Sequence, residues 1–271
     1  MYKTAEPIGI IGGSGFYSLL NDSETLNIAT PYGKTSDDIT KGTINDRTVY
    51  FLSRHGSKHQ YPAHRVPYQA NLWALKSLGI NQIISLTAVG SLDAQLTPGT
   101  FVVSDQIVDR TRTRISTFCN EDKGAIHVSL ADPYCEKGRS ALVESCKSLE
   151  FKFCDKSIMV VIDGPRFSSR AESQEFQRNG WSIIGMTGMP EAALARELSM
   201  CYSTLSLVTD FDAGVNSGEG VTQKEVLELF SANLPKMKDI VMRAIDFLPE
   251  KQRNCECVTV FEGTPKPYWM P

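Results

Sequence analysis

The chain has 271 residues, a formal net charge of −3 and 41% hydrophobic residues. This is the composition of an ordinary folded protein, and it excludes a disordered chain. There is no basic surplus for a nucleic-acid backbone and no apolar run long enough for a bilayer, so neither nucleic acid nor membrane is an expected partner.

The opening stretch lacks a basic-then-apolar leader pattern. Seven scattered cysteines do not resemble a secreted disulfide framework. The expected location is therefore cytoplasmic. Four histidines, none at metal-ligand spacing, imply no metal centre.

In chain order, Ile8 to Ile11 reads as a buried strand ending in Gly12-Gly13-Ser14-Gly15. Val49 to Leu52 is a second strand, followed by Ser53-Arg54-His55-Gly56. Between Tyr68 and Leu78, Ala70, Trp73, Ala74 and Leu78 line one apolar helical face, with Gly79 beyond as the cap. Gln82 to Leu86 is a strand leading into Thr87-Ala88-Val89-Gly90-Ser91. Phe101 to Val103 and Ile158 to Ile162 are further strands, and Ser140 to Leu149 and Ala171 to Asn179 further helices. Ile183-Ile184 leads into Gly185-Met186-Thr187-Gly188, and Pro190 opens a helix over Glu191 to Met200. Tyr202 to Val208 is a strand ending in Thr209-Asp210-Phe211-Asp212. Thr222 to Phe247 is helical, with a break or kink expected at Pro235. The rest reads as a tail carrying Cys255 and Cys257. Alternating strands and helices mean one α/β domain on a largely parallel sheet.

Several strands end in small and polar residues, and open α/β sheets gather ligands at the carboxyl ends of their strands. The glycine loop offers unobstructed N–H groups to an anion, or equally forms a tight turn. Its spacing does not fit a dinucleotide fingerprint. Arg54 beside His55 suits phosphate oxygens, although alone the pair reads as a surface ion pair and a core histidine. Thr87 to Ser91 alone reads as a plain turn. Asp210 and Asp212, two apart, face one side if extended and suit proton delivery. Ser168 or Ser169 suits a helix cap, and Phe167 suits the flat face of a ligand.

The stretches IGIIGGSG, TPYGKTSD, SRHGSKH, YQANLWALKSLG, TAVGSL, HVSLADPYC, DGPRFSSRAES, GMTGMPEAALARE and TDFD occur in this order. Together they resemble the methylthioadenosine phosphorylase branch of the trimeric purine nucleoside phosphorylases. The resemblance implies a single α/β domain over residues 1–248, a mixed, partly barrelled sheet flanked by helices, and a tail over 249–271. It implies phosphorolysis of a purine nucleoside, with inorganic phosphate as co-substrate, no cofactor, and assembly as a homotrimer.

By this resemblance, Ser14, Arg54, His55, Thr87, Ala88 and Thr187 bind phosphate. Met186 lies against the ribose and Phe167 against the purine. Asp210 faces N7 of the base and Asp212 its 6-substituent, which favours adenine over 6-oxopurines. Ser168 and Gln223 sit at specificity positions, and His127 belongs to the segment lent by a neighbouring subunit. Gly185 stands where some members have Asn. Members that cleave methylthioinosine share the GMTGMPEAALARE pattern, which keeps that substrate as an alternative. Some archaeal members have a C-x-C disulfide near the C-terminus. The resemblance implies such a bond for Cys255 and Cys257, with Cys135 and Cys201 pairing likewise, whereas cytosolic redox conditions favour free thiols.

Overall fold

A computed structural model of the protein describes residues 5–13, 15–16, 20–120, 122–215, 222–252 and 254–271. Ser14 of the expected phosphate set lies outside these residues. Among the described residues, eleven strands form one mixed sheet. They are β1 (Ile8–Gly12), β2 (Asn21–Leu26), β3 (Ile39–Ile44), β4 (Arg47–Ser53), β5 (Gln82–Ser91), β6 (Phe101–Val102), β7 (Gln106–Asp109), β8 (Phe153–Cys154), β9 (Ile158–Val161), β10 (Ile183–Gly185) and β11 (Cys201–Phe211). The helices are α1 (Tyr68–Ser77), α2 (Glu136–Ser148), α3 (Arg170–Arg178), α4 (Gly188–Glu197), α5 (Gln223–Phe247) and α6 (Glu256–Thr259).

The main strand order is β2-β3-β4-β1-β5-β10-β9-β7, with β11 pairing both β5 and β6, and β6 pairing β8. Strand β5 is the branch point. Its first half pairs β1, its last two residues pair β10, and β11 runs parallel along its whole length. The sheet branches at β5 and is not closed, a mixed sheet flanked by helices as the resemblance implies.

Successive residues of a strand face opposite sides, and this divides the core. Ile11, Leu52, Ile83 and Tyr202 pack with α1 and α4 residues such as Leu72, Leu75 and Leu194. Ile10, Phe51, Ile84 and Leu205 pack with Leu142 of α2 and with Met237, Ile240 and Val241 of α5. Burial on both faces explains why these strands read as continuous apolar runs.

Helix ends follow their chemistry. Ser169 and Thr222 each cap a helix and form reciprocal capping boxes with Glu172 and Glu225. Gly79, at φ +79°, follows α1 in the left-handed conformation that suits glycine. Three sequence expectations change. Strand β5 continues through Thr87–Ser91, which alone reads as a plain turn, while β11 runs on through Thr209–Phe211 at the end of its expected strand. Helix α5 passes through Pro235 as a single helix. Helix α2 starts at Glu136, one turn earlier than its apolar periodicity suggests.

Residues 249–271 dock on the body. The Trp269 indole is 3% exposed and donates to the Glu197 carbonyl at 3.0 Å. Its own carbonyl accepts from Trp73 Nε1 at 2.9 Å. Arg47 donates to the carbonyls of Leu248 and Pro249. Trp269→Ala is expected to cost about 3–5 kcal/mol of stability through lost burial and the cavity left behind. Urea unfolding at equilibrium measures it, and an unchanged midpoint would show that the docked segment adds nothing.

Candidate active site

The sheet register brings the strand-end clusters together. Gly12 lies opposite Ser53 across β1 and β4, and Ile11 opposite Ser85 across β1 and β5. The backbone N–H of Arg54 donates to the Gly12 carbonyl at 2.9 Å, which fixes the start of the Arg54-His55 loop against the glycine loop. Thr87 and Ala88, both half-buried, continue β5 beside Ser206 and Leu207 of β11.

Arg54 is 2% exposed and sits in a dense polar network. Its Nε donates to Glu191 Oε1 at 2.5 Å and its Nη2 to Glu191 Oε2 at 3.1 Å. Nη2 also donates to Ser85 Oγ at 2.6 Å, and Nη1 to the Leu86 carbonyl at 2.9 Å. Ser85 and Tyr202 hydroxyls donate to the same Glu191 oxygen at 3.1 and 2.9 Å. Burial works against the guanidinium charge, but Glu191 outweighs it, and the Arg54 pKa is raised. The cation is thus fixed and neutralised before any ligand arrives.

His55 Nδ1 lies 2.8 Å from the Tyr61 carbonyl. A carbonyl only accepts, so Nδ1 carries the proton and Nε2 is an acceptor when the ring is neutral. Burial, and then the neighbouring Arg54 charge, lower its pKa to about 4. At neutral pH His55 therefore presents an acceptor, suited to a hydroxyl of sugar or protonated phosphate.

Thr187 is buried at the start of α4, and its side chain makes no capping bond. Met189 is non-helical, so the regular turns start at Pro190. Met186, half-buried, packs on the next loop, where a Cβ at Gly164 would come 2.5 Å from its Sδ. That loop leads to Phe167, which is 37% exposed, and to buried Ser168. Arg114 ties the loop down. Its Nη2 donates to the Ile162 and Asp163 carbonyls at 3.2 and 2.8 Å, and its Nη1 to the Met189 carbonyl.

The two aspartates lie at the end of β11. The register with β5 shifts between Val208 and Asp210, leaving Thr209 as the extra residue of a bulge. Gly90 lies opposite Asp210. A Cβ there would sit 3.0 Å from Asp210 Oδ2 and 3.5 Å from Asp212 Cβ, so the carboxylates close over a bare backbone position. Burial raises the Asp210 pKa to about 6; the Thr209 hydroxyl, 2.7 Å from Oδ1, opposes the shift and the Asp212 charge adds to it. Burial also raises the Asp212 pKa. Its Oδ2 is buried with no hydrogen-bond partner among the described residues.

The structure thus clusters Arg54, His55, Thr87 and Ala88 through β1, β4 and β5. Gly90 joins Asp210 and Asp212 to β10, because Ile184, two residues before Met186, pairs with it. Gln223 lies exposed at the first turn of α5, and His127 is exposed on an irregular segment; neither is drawn into the cluster within this chain. Sequence reasoning missed Glu191, Ser85, Tyr202 and Arg114. The available signal was a lone acidic residue in the otherwise apolar start of α4. As a separate group with metal-ligand chemistry, Cys135, Cys201, Cys255 and Cys257 bring their sulfur atoms within 4.8 Å of one another.

Two outcomes are expected. Glu191→Ala leaves a buried cation unpaired, costing about 3–5 kcal/mol, and added phosphate should recover more stability in the variant than in the wild type. Denaturation with and without phosphate tests this, and an equal phosphate effect in both proteins refutes it. For Asp210, a raised folded pKa means that the folded state holds its proton over a pH range where the unfolded chain has lost it. Stability from this group is therefore present below the unfolded pKa of about 3.9 and lost as pH rises through about 6. Asp210→Asn should raise stability at pH 8 by up to about 3 kcal/mol, with the gain vanishing near pH 3. A gain independent of pH would contradict the assignment.

The Phosphorylase superfamily profile matches residues 7–246. The chain is 47% identical to S-methyl-5'-thioadenosine phosphorylase of Mycobacterium tuberculosis over the full length of both proteins. It is also 47% identical to purine nucleoside phosphorylase of Streptomyces coelicolor, covering 96% of each. Among solved structures, a methylthioadenosine phosphorylase from an antarctic soil metagenomic library superposes with a TM-score of 0.89 at 39% identity, covering 99% of this chain and 96% of that one. By this match along nearly its whole length, the chain belongs to the phosphorylase superfamily.

Proposed function

We propose that the protein is a pentosyltransferase that cleaves S-methyl-5'-thioadenosine with phosphate, yielding adenine and the methylthio-substituted ribose 1-phosphate, with adenosine as a further substrate. The observation that carries this reading is the carboxylate pair at the end of β11, one member with a pKa of about 6 beside a buried, unpartnered acceptor. The pair lies opposite Gly90 on β5, the strand that carries Thr87 and Ala88 and whose Leu86 carbonyl accepts from Arg54, which supports an anion and a purine bound side by side. The S-methyl-5'-thioadenosine phosphorylases among its relatives support the choice of nucleoside.

In this reading phosphate sits among Arg54, His55, Thr87, Ala88, Thr187 and the glycine loop that includes Ser14. As the glycosidic bond breaks, positive charge grows on the ribose and negative charge on the purine. Bound phosphate stabilises the first. Protonated Asp210 donates to N7 and relieves the second. Asp212 accepts from the 6-amino group, which satisfies its buried oxygen. Met186 covers the sugar, Phe167 the base, and Ser168 and Gln223 shape the end of the pocket. No organic cofactor takes part.

The assembly is a homotrimer in which His127 of a neighbouring copy reaches the 5' end of the nucleoside. The exposed position of His127 supports this. Among the described residues no helix is long and apolar enough to cross a membrane, in keeping with a cytoplasmic enzyme of purine and methionine salvage.

A second reading, a 6-oxopurine nucleoside or methylthioinosine phosphorylase, has one observation in its favour. Burial shifts the Asp212 pKa upward, the direction that favours donation to a 6-oxo group. Release of free base from methylthioadenosine, adenosine, inosine and methylthioinosine, each with phosphate, separates the two. Cleavage of inosine without methylthioadenosine would overturn the first. For the mechanism, Asp210→Asn should lower turnover by about 10²–10⁴-fold with little change in the KM for phosphate. In the wild type kcat/KM for the nucleoside should fall as pH rises through about 6, because the acid form is lost, and this limb should disappear in the variant. Wild-type turnover in Asp210→Asn would remove its role.

A further inference from the structure

The four clustered cysteines lie apart from the strand-end site and take no part in phosphorolysis. Cys135 is the residue before α2, Cys201 opens β11, and Cys255 and Cys257 flank the start of α6. Two are 66 residues apart in the chain and the others more than 50 residues further on, so only the fold assembles them. The Cys135 N–H donates to the Tyr202 carbonyl at 2.8 Å, which anchors the start of α2 beside β11. The Ser199 hydroxyl donates to the Cys257 carbonyl at 2.6 Å, and Gln252 Nε2 to the Ser199 carbonyl at 3.0 Å. These bonds hold the C-terminal segment over the other two cysteines.

We propose that Cys135, Cys201, Cys255 and Cys257 form a tetrathiolate site for a divalent thiophilic cation, Zn²⁺, which fastens the C-terminal segment to the body. All four sulfur atoms lie within 4.8 Å of one another. Zinc–sulfur bonds of about 2.3 Å in a tetrahedron put the sulfurs about 3.8 Å apart. The Cys201 and Cys255 sulfurs are 3.4 Å apart, close to that edge and far from the roughly 2.05 Å of a disulfide. Side-chain rotation and contraction of a few tenths of an ångström per ligand close the site. One centre reachable by all four sulfurs is what a single ion needs.

The surroundings suit the charge. Binding converts four thiols and Zn²⁺ into a complex of charge −2, with four protons released to solvent. The Arg139 and Val258 amides donate to the Cys135 and Cys255 carbonyls at 2.9 and 3.1 Å, which fixes the backbone of both ligands. Lys76 stands close enough to Cys201 for direct electrostatic attraction. A fixed backbone orients the ligands, and a cation beside them spreads the negative charge. Cys135, Cys201 and Cys257 are buried, while Cys255 is half-buried and leaves a path of entry. Histidine spacing could not reveal this site, because its ligands are all sulfur and only the C-x-C pair is local.

The test uses the full-length protein, purified with reductant and without chelator. Elemental analysis is expected to find about one zinc per chain. Replacement of zinc by Co²⁺ should give thiolate-to-cobalt charge-transfer absorption together with the strong visible bands of tetrahedral cobalt. Cys255→Ser with Cys257→Ser should lose the metal and the cobalt spectrum, while Cys119→Ser, outside the cluster, should keep both. Should the double variant fail to fold, the cobalt spectrum of the wild type decides by itself. Reduced protein that holds no zinc after incubation with Zn²⁺ and desalting would overturn the proposal. So would zinc retained equally by a folded double variant, or a cobalt spectrum of octahedral oxygen type. A mass lower by two hydrogens per bridge, in protein that still takes up no metal once reduced, would assign the cluster to disulfides.

Discussion

A charged pair is buried where the central strands converge, and much else is arranged around it. Arg54 and Glu191 are both almost fully withdrawn from water. Desolvating two ions is expensive, and is tolerated only when geometry and further hydrogen bonds satisfy them. Here Ser85, Tyr202 and the Leu86 carbonyl do so. These partners come from β5 and β11, while the pair itself joins the loop after β4 to α4. A shift of any one element would leave a charge unmatched. The pair therefore ties the relative positions of four elements to one energetic condition. It contributes specificity of arrangement more than net stability.

The second constraint is the branch at β5. A strand with neighbours along its whole length on one side and two different neighbours on the other must twist sharply where the neighbours change. The change occurs at Gly90, opposite the bulge at Thr209. A bulge re-aims the residues that follow. Here they are Asp210 and Asp212, packed over a glycine with no Cβ to keep them away. The resulting burial raises both pKa values, in opposition to the folding preference of ionised carboxylates. A less buried Asp210 would make a more stable protein with a poorer acid. The site thus holds strain of the kind that accompanies function.

Much of this was legible in the amino-acid order, for a physical reason. Strands buried on both faces must be continuously apolar, so Ile8 to Ile11 and Leu205 to Val208 announce themselves. Polar residues at their ends then stand out. The extension of β5 through Thr87–Ser91 was not legible, because threonine, glycine and serine are common in turns. Strands β2, β3, β7 and β8 lack a strong apolar run, since they lie at the periphery of the sheet. Glu191 was hidden for a different reason. A buried acid is readable only with its partner, and Arg54 lies 137 residues away. The cysteine cluster illustrates the same limit. Local spacing reports local chemistry, and its four cysteines come from three segments that meet only through the packing of α2, β11 and the C-terminal segment.

The charge balance of the site follows from these constraints. Arg54 is the residue a sequence reader assigns to phosphate, yet its charge is cancelled by Glu191 before an anion arrives. His55 is neutral at physiological pH, and two carboxylates lie at the end of β11. A diffuse positive potential is therefore not what this site offers to an anion. In the proposed reading, recognition comes from directed donors: hydroxyls, backbone N–H groups of the glycine loop, and guanidinium hydrogens held in fixed directions. Such donors do not need to reorient when charge moves during reaction, which is the condition under which electrostatic stabilisation is most effective. In that reading, the protonated form of Asp210 removes one repulsion that phosphate bound in the same site would otherwise meet. On the proposed reading the same burial that makes Asp210 an acid lets an anion bind in the same site, in a protein whose net charge is −3.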